Sequence, residues 1–433
     1  MVIYTPKKTS RIEYIFNLIF KDVFRINYEI TEDKNYFLAC EKEKINYSMQ
    51  QFDDELFIES HGLLTEIEII DQEINFLKWD DLPIFFSSTN KHTLPFDFFS
   101  ASFYLVSRYE EYLPHFKDHY DRFMAKESLA YQNDFLHLPL INLWADKLKE
   151  QIIKKYPHFN FPKKEFKFLS TIDIDNAYYY LEKGFARNLA SFVKHSLKLE
   201  KHEIVTRLNV LLSNNKDPYD TYTYQLNLQR KYNLDVIYFV LLGDYGLNDK
   251  NVLPTSRKFQ LLIKNLSDFA KVGLHPSFNS NSYKTKLKIE SERLANITKS
   301  EVMYSRQHFL KLSLPSTYRN LIDLDIFNDY TMGYAEFPGF RASICNSFNF
   351  YDLEQEKITS LRIHPFSIMD ATFRYYLNKN PDESLELIKG IIDQVKKVDG
   401  TLISVWHNET WSDYKEWKGW KELFSKMADY IYQ

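Results

Sequence analysis

Two aspartates separated by one residue end the apolar segment FLSTIDID, residues 168–175. Alternate side chains of an extended chain face the same way, so the carboxylates of Asp173 and Asp175 are expected to enter one site. Three further segments of this kind are followed by basic or imidazole side chains, namely His275 after FAKVGL, Arg306 and His308 after EVMYS, and His407 after TLISVW. Carboxylate and imidazole groups are the ligands that a divalent metal such as zinc prefers. One acid would then remain to serve as the base of a metal-assisted reaction.

Each of these residues also has an ordinary structural explanation. An aspartate at a strand end commonly caps the helix that follows, although one cap would not require two aspartates. His275 precedes Pro276 and fits a turn, His407 beside Asn408 fits a hydrogen-bonded loop, and Arg306 fits a surface ion pair. The shared position at strand ends therefore favours a common site more than any single residue does.

The segments that must position these residues alternate between strand and helix from residue 165 onward. The segment LDVIYFVLLGD (234–244) is continuously apolar, as expected of a strand buried on both faces. The segment 380–400 has proline at its first turn, acids early, lysines late and glycine at its end, which predicts a helix. Strands are also predicted at 166–175, 269–277 and 400–408. This alternation predicts a parallel α/β sheet or barrel, with the reactive groups at the carboxyl ends of the strands.

Residues 1–160 follow a different pattern and predict a smaller α+β domain. Strands are predicted at 24–30, 65–70 and 73–79, and helices at 96–113 and 139–156. A basic segment with two prolines, 156–165, predicts the boundary to a second domain over 165–433. Charged and aromatic residues concentrate at 107–113 and 118–123, which we interpret as helix surface and domain contact.

The composition excludes several other classes of protein. A net charge of -4 gives no basic field for nucleic acid, and a chain with only 10 glycines and no glycine-rich loop does not resemble a kinase or a dinucleotide enzyme. Two cysteines are too few for a disulfide framework or a thiolate metal site. Because no apolar segment reaches the roughly 18 residues of a membrane span and no signal peptide is recognised, we expect a cytoplasmic protein without an integral membrane segment.

The order TIDID, GLHPS, SRQHF and SVWHN resembles the polysaccharide deacetylase family, the NodB-homology fold of carbohydrate esterase family four. The resemblance covers roughly residues 165–433, and the preceding region looks like the companion domain of a Bacteroidetes-type branch. It implies a distorted (β/α) barrel that hydrolyses an N-acetyl or O-acetyl group of a saccharide. It also implies a divalent metal cofactor, zinc in the first place and cobalt or nickel as alternatives.

The resemblance further implies roles for individual residues. Asp173 matches the catalytic base, Arg306 the arginine that steadies the base, and His407 the general acid. Asp175 and His275 match two ligands of the metal.

Two departures from the family pattern concern the remaining ligand. The second histidine of the family's second motif would fall at Asn279, and the third motif, Arg-x-Pro-aromatic, has His308 where proline is expected. Either His308 replaces the missing ligand, or Asn279 and water complete a weaker site, because an amide oxygen binds zinc less well than imidazole.

Three residues are expected to contact the saccharide, namely Arg341, Trp406 and Asn279. Arg341 lies among aromatic residues in the segment 333–352, which equally fits a packed loop with a surface arginine. His364 and Asp370 form an additional polar strand end, for which we consider a structural role.

Two other functions are compatible with the same residues. A non-catalytic saccharide-binding protein would have kept the fold and lost a ligand, for which Asn279 is the evidence. A metal-dependent glycosyltransferase would use Asp173-x-Asp175 to hold a metal on a nucleotide sugar, but it would leave His275 and His407 unexplained. The sequence leaves the sugar, the acetyl linkage and the oligomeric state open.

Overall fold

The computed structural model describes residues 1–88, 93–183, 201–212 and 215–432 of the chain. Its strands are β1 (Val2–Tyr4), β2 (Glu29–Thr31), β3 (Lys44–Ser48), β4 (Leu56–Glu59), β5 (Leu77–Trp79), β6 (Leu82–Ile84), β7 (Lys167–Ile174), β8 (Asp235–Leu241), β9 (Lys271–His275), β10 (Tyr304–Ser305), β11 (Asn328–Asp329), β12 (Phe348–Asp352), β13 (Lys357–Ile363), β14 (Ile368–Met369) and β15 (Thr401–His407). Its α-helices are α1 (Ser10–Phe16), α2 (Lys34–Ala39), α3 (Phe98–Val106), α4 (Leu129–Gln132), α5 (Leu140–Lys155), α6 (Lys201–Leu212), α7 (Tyr222–Tyr232), α8 (Arg257–Ser267), α9 (Lys284–Thr298), α10 (Ser316–Ile322), α11 (Pro381–Lys397) and α12 (Trp420–Tyr432).

Nine of these strands form one sheet, in the order β12-β13-β11-β10-β9-β8-β7-β15-β14. All neighbouring strands are parallel except β12 and β13, which run antiparallel. The four strands predicted between residues 166 and 408 are confirmed as β7, β8, β9 and β15. After its first residue β8 is buried throughout, as expected for a parallel sheet that is covered on both faces.

The sheet is strongly curved, and its inner face encloses a small apolar cluster of its own. Phe239 on β8 contacts Tyr330, which follows β11, with 5.4 Å between the ring centroids. Neighbouring strands lie about 4.8 Å apart, so residues three strands apart meet in this way only if the sheet bends. A backbone hydrogen bond from Phe366 to Met332 links the segment before β14 to the segment after β11. A mixed α/β fold is confirmed, and the hydrogen-bonded ladder of the described strands runs from β12 to β14.

The helix predicted at 380–400 is confirmed as α11, and it returns the chain to the start of β15. The Asn380 side chain accepts from the Glu383 backbone N–H while the Glu383 side chain accepts from that of Asn380, which satisfies amide groups that the first helical turn leaves free. Apolar residues at helical spacing, such as Ile388 and Ile392, are fully buried. Sequence-local signals therefore define the element that leads into the strand ending at His407.

The N-terminal region contains a four-stranded parallel sheet, in the order β2-β1-β3-β4, and Tyr47 on β3 packs against Phe16 of α1 and Phe99 of α3. The predicted strand at 65–70 is wrong. The backbone carbonyl of Glu68 accepts hydrogen bonds from the side chains of Arg11 and Tyr109, and the Ile70 N–H donates to the Tyr109 hydroxyl. Side-chain partners thus occupy backbone groups that a strand would offer to a neighbour.

Two aromatic segments of the N-terminal region also differ from expectation. The helix predicted at 96–113 ends as α3 at Val106, and residues 118–123 form a tight hairpin rather than a helix surface. The predicted helix at 139–156 is confirmed as α5. N-terminal residues share one hydrophobic core with the large sheet, and the Arg11 guanidinium pairs with Glu356 across this contact. Within the described ranges, no helix is long and apolar enough to cross a membrane.

Substitutions at two glycines test how tightly β9 packs against the apolar cluster on the inner face of the large sheet. A Cβ atom at Gly273 would lie 2.7 Å from the Phe239 ring and 2.8 Å from the Tyr304 carbonyl oxygen, whereas a Cβ at Gly390 in α11 meets nothing within 4 Å. Gly273→Ala is expected to lower the free energy of unfolding by about 1–3 kcal/mol, because a packed core resists added volume. Gly390→Ala is the matched control and is expected to raise it by about 0.5–1 kcal/mol. Urea denaturation measures both, and a neutral Gly273→Ala would contradict the packing.

Candidate metal centre

The ends of three strands bring Asp175, His275 and His308 together. One ligand atom from each residue lies within 4.8 Å of the others. Nε2 of His275 lies 3.1 Å from Oδ1 of Asp175, and Nε2 of His308 lies 3.4 Å from Oδ2 of Asp175. The structure therefore places His308, and not Asn279, beside the two residues that the family pattern predicted as ligands.

Hydrogen bonds fix the orientation of both imidazoles. Nδ1 of His275 donates to the backbone carbonyl of Arg306, and Nδ1 of His308 donates to Oδ1 of Asp249 at 2.8 Å. A carbonyl and a carboxylate only accept, so each Nδ1 carries a hydrogen, and each Nε2, when it is deprotonated, can direct a lone pair toward a metal ion beside Asp175. Such outer partners orient the histidine ligands of protein metal sites and raise their basicity.

The electrostatics of this group fit a cation. Oδ1 of Asp175 is buried and has no hydrogen-bond partner among the described residues. Burial would raise the pKa of Asp175, but the two imidazoles outweigh it and hold the pKa well below its usual range. Burial would lower the pKa of His308, but the carboxylates of Asp175 and Asp249 outweigh it and raise the pKa to about 9. Asp175 is thus stabilised as a carboxylate, and the carboxylates around His308 stabilise positive charge. A group of two imidazoles and one carboxylate in these surroundings suits a divalent metal ion.

Asp173 lies beside this group and is held by a buried arginine. Nη1 of Arg306 donates to Oδ1 of Asp173 at 2.9 Å, and Nε of Arg306 donates to the Tyr330 carbonyl at 3.0 Å. Arg306 is 0% exposed and Asp173 is 2% exposed, and the guanidinium packs over the ring of Phe239. Oδ2 of Asp173 lies 3.8 Å from Nε2 of His275, which leaves this oxygen facing the candidate ligands.

His407 approaches from the end of β15, where it is paired in register with Asp173 on β7. Its Nδ1 donates to Oδ1 of Asp370 at 2.7 Å, and its Nε2 lies 3.7 Å from Oδ2 of Asp175. Burial would lower the pKa of His407, but the Asp370 carboxylate outweighs it and holds the pKa well above its usual value. The Asp370 carboxylate therefore favours the protonated imidazole, and Nε2 of His407 faces the candidate metal centre.

One cavity of about 420 Å³ is lined by Asp173, Asp175, His275, His308 and His407. Its further walls are largely aromatic and apolar, and they include His119, Tyr120, Arg122, Phe309, Leu310, Tyr375, Tyr376 and Trp417. Polar side chains at the strand ends form the floor of the cavity, and aromatic rings form much of its walls. A ligand can therefore place a small polar group at the floor while the rest of the ligand packs against the rings.

The three residues expected to contact a saccharide do not line this cavity. Arg341 is 2% exposed and forms an ion pair with Glu111 at 2.7 Å, because the loop that carries it packs against the N-terminal region. Trp406 points to the opposite face of the sheet from its neighbour His407, is 0% exposed and packs against Phe424. Asn279 lines a separate, smaller cavity.

Some residues of the site were missed or given another role. Asp249, which orients His308, lies within the loop after β8, which ends at Leu241, so no strand-end pattern marks it. Asp370, for which the sequence suggests a structural role, directly follows β14, the neighbour of β15 in the sheet. Its carboxylate accepts a hydrogen bond from Nδ1 of His407. Glu409 lines the cavity with a buried and unpaired Oε2, and burial raises its pKa to about 7.

The fold and the site together define a mixed α/β protein with a candidate Asp-His-His metal centre at the carboxyl ends of its strands. Residues 1–157 match the model of a family of unknown function, DUF7033. No curated protein matches the chain.

Three solved structures illustrate what the fold is similar to. PuuE allantoinase is 9% identical, with a TM-score of 0.39 over 64% of this chain and 87% of its own. The polysaccharide deacetylase Bc1974 from Bacillus cereus is 12% identical, with a TM-score of 0.30 over 62% of this chain and 88% of its own. A CE4 family pseudoenzyme from Bacillus anthracis is 10% identical, with a TM-score of 0.32 over 62% of this chain and 62% of its own. The structural neighbours thus include a polysaccharide deacetylase, a CE4 family pseudoenzyme and an allantoinase.

Proposed function

We propose that the chain is a metal-dependent deacetylase that hydrolyses an N-acetyl or O-acetyl group of a saccharide. The observation that carries the proposal is the meeting of three kinds of group in one cavity. These are the ligand group Asp175, His275 and His308, the ion-paired carboxylate of Asp173, and the carboxylate-held imidazole of His407.

A divalent metal such as zinc would be held by Asp175, His275 and His308 and would supply Lewis acidity toward an acyl oxygen and a water. Asp173 takes the proton from the attacking water, because its free Oδ2 faces the ligand group while Arg306 fixes the other oxygen and balances the charge. The backbone N–H of His308 donates to the Pro276 carbonyl, which leaves the N–H of Phe309 as the nearby backbone donor for the developing oxyanion.

His407 completes the reaction as the general acid. Its protonated Nε2 gives a proton to the departing nitrogen, or to the departing oxygen of an ester, so that acetate and a free amine or hydroxyl leave. The aspartate pair of a glycosyltransferase would need both carboxylates for the metal, but Asp173 is committed to Arg306 and two imidazoles face Asp175. The deacetylase assignment uses every one of these groups.

Metal content and acetate release test the proposal directly. The full-length protein is expected to bind about one zinc, cobalt or nickel ion per chain and to release acetate from N-acetylchitooligosaccharides or from acetylated xylan, and Asp175→Ala is expected to lose both properties. Saccharide binding without metal or acetate release would favour the non-catalytic alternative. A strict requirement for manganese with a nucleotide sugar would favour the transferase.

The pH dependence of kcat/KM tests the role of His407. As the acid, His407 must be protonated, so activity is lost as the pH rises through its pKa, which Asp370 keeps high. Asp370→Asn removes the charge that raises this pKa, and the basic limb of the profile is expected to move to lower pH by on the order of one unit or more. Asp393→Asn on the outer surface of α11 is the matched control. An unmoved basic limb in Asp370→Asn would assign the acid to another group.

A further inference from the structure

One wall of the cavity comes from the N-terminal region rather than from the large sheet. Residues 117–123 form a short hairpin, closed by an antiparallel bridge between Lys117 and Phe123 and by a hydrogen bond from the Asp118 N–H to the Arg122 carbonyl. The 117–123 hairpin lies within the part of the chain that matches a family without known function. It contributes His119, Tyr120 and Arg122 to the cavity that also holds the candidate metal ligands.

Arg122 anchors this hairpin to the loop that carries His308. Its Nη1 donates to the Phe309 carbonyl at 2.8 Å, its Nη2 donates to the Tyr376 hydroxyl at 3.2 Å, and its Nε donates to Oδ2 of Asp118 at 2.7 Å. Arg122 itself is buried. The position of the hairpin is thus fixed relative to the candidate metal centre.

Tyr120 presents an aromatic ring beside the site. The ring lies 4.7 Å from the ring of Phe309 and 3.8 Å from that of His119, measured between centroids, and both pairs are tilted. It is half-buried, and further rings, those of Tyr375, Tyr376 and Trp417, line the same cavity. Aromatic faces separated from a polar floor suit a flat ligand that has one apolar face and a polar edge.

The charge of the walls narrows the chemical class of the ligand. Arg122 is the single lysine or arginine among the described residues that line the cavity, and Asp118 neutralises it at 2.7 Å. A diphosphate favours unpaired lysine or arginine side chains around it, and the described lining residues outside the candidate metal centre offer only Arg122, which is paired with Asp118. The cavity therefore suits a neutral ring, such as a pyranose, rather than a nucleotide.

We propose that the 117–123 hairpin is a saccharide-binding wall of the active site, with Tyr120 packing on the sugar ring that bears or adjoins the acetyl group. The inference deepens the proposed deacetylase function and rests on it. It gives the N-terminal region a direct part in substrate recognition, since the large sheet alone leaves this side of the cavity open. Tyr120 is then a specificity-determining residue, and Arg122 is a positioning residue.

The test compares Tyr120→Ala with Tyr120→Phe in the full-length, zinc-loaded protein. Two substrates are used, N-acetylchitotetraose and the small aliphatic ester triacetin. Tyr120→Ala is expected to raise KM for N-acetylchitotetraose about tenfold with little change in kcat, because a lost aromatic contact weakens ring binding. Hydrolysis of triacetin, which has no ring, is expected to be affected less than that of N-acetylchitotetraose, and Tyr120→Phe is expected to restore the wild-type KM. Tyr131→Ala is the matched control, since Tyr131 is 38% exposed in the same region and lies outside the cavity.

Binding of N-acetylchitotetraose, followed by calorimetry and by intrinsic tryptophan fluorescence, to which Trp417 in the cavity contributes, separates this inference from the deacetylase proposal. Acetate release with the same KM in Tyr120→Ala as in the wild type would overturn the inference and leave the deacetylase standing. If the wild-type protein binds N-acetylchitotetraose without releasing acetate, and Tyr120→Ala weakens this binding about tenfold, the deacetylase proposal is overturned. The saccharide-binding role of the 117–123 hairpin is then supported. A wild-type protein that neither binds nor cleaves the saccharide would overturn both.

Discussion

His308→Ala is expected to abolish zinc binding, lowering the affinity by more than about 100-fold. The variant leaves only Asp175 and His275 as protein ligands, and it also leaves the Asp249 carboxylate without the imidazole that it orients. Asn279→His is expected to change nothing, because residue 279 lies in a separate cavity and cannot add a ligand to the group. Zinc per chain after equilibrium dialysis, with a competing chelator to set the free concentration, measures both effects.

The control for this experiment is the loss of a histidine elsewhere. His364 is also largely buried and hydrogen-bonded, to Ser347 at 2.7 Å and to Asn328 at 3.0 Å, but it does not belong to the ligand group. His364→Ala is therefore expected to keep its zinc. Unchanged zinc in His308→Ala, or a tighter site in Asn279→His, would show that the amide and water complete the site instead.

Asp173→Asn is expected to lower kcat by about 10²–10⁴-fold while zinc content stays at the wild-type level, because it removes a base rather than a ligand. The amide oxygen can still accept from Arg306, so the side chain is expected to keep its place. Loss of the carboxylate nevertheless leaves the fully buried guanidinium of Arg306 without its counter-charge, which is expected to cost some stability. Acetate release and metal content are measured on the same preparation, at a temperature well below unfolding.

A second buried aspartate separates the loss of the base from the loss of stability. Asp217 accepts hydrogen bonds from the backbone N–H groups of Tyr179 and Tyr180 at 2.7 Å and 2.8 Å, and it does not line the cavity. Asp217→Asn is expected to destabilise the protein and to leave kcat close to the wild-type value. Near-normal kcat in Asp173→Asn would place the base elsewhere, with Glu409 as the next carboxyl group in the cavity.

The sequence predicted the parts of the site that depend on a single strand. Alternation along an extended chain places Asp173 and Asp175 on one side, and both line the cavity. Apolar runs marked β7, β8, β9 and β15, and the capping residues marked α11. These signals are local, because a strand or a helix turn is specified by residues that are only a few positions apart.

The sequence failed where a residue's surroundings come from distant parts of the chain. Arg341 looks like a surface or ligand-facing arginine until Glu111 is brought against it, and residues 118–123 look like a helix surface until Arg122 reaches Phe309. Trp406 is a different case, because it precedes His407 in β15 and alternation alone places the two side chains on opposite faces of the sheet.

The sequence by itself determined the strand ends, the residue types at each end and the alternation that pairs the two aspartates. The tertiary structure decided that His308 joins Asp175 and His275, that Asp249 and Asp370 orient the imidazoles, and that an N-terminal hairpin closes the cavity. The reason is that the order and register of parallel strands, and the packing of a separate region against them, depend on contacts between residues tens to hundreds of positions apart. Such contacts are fixed by the sum of many weak packing interactions and not by any short pattern of residues.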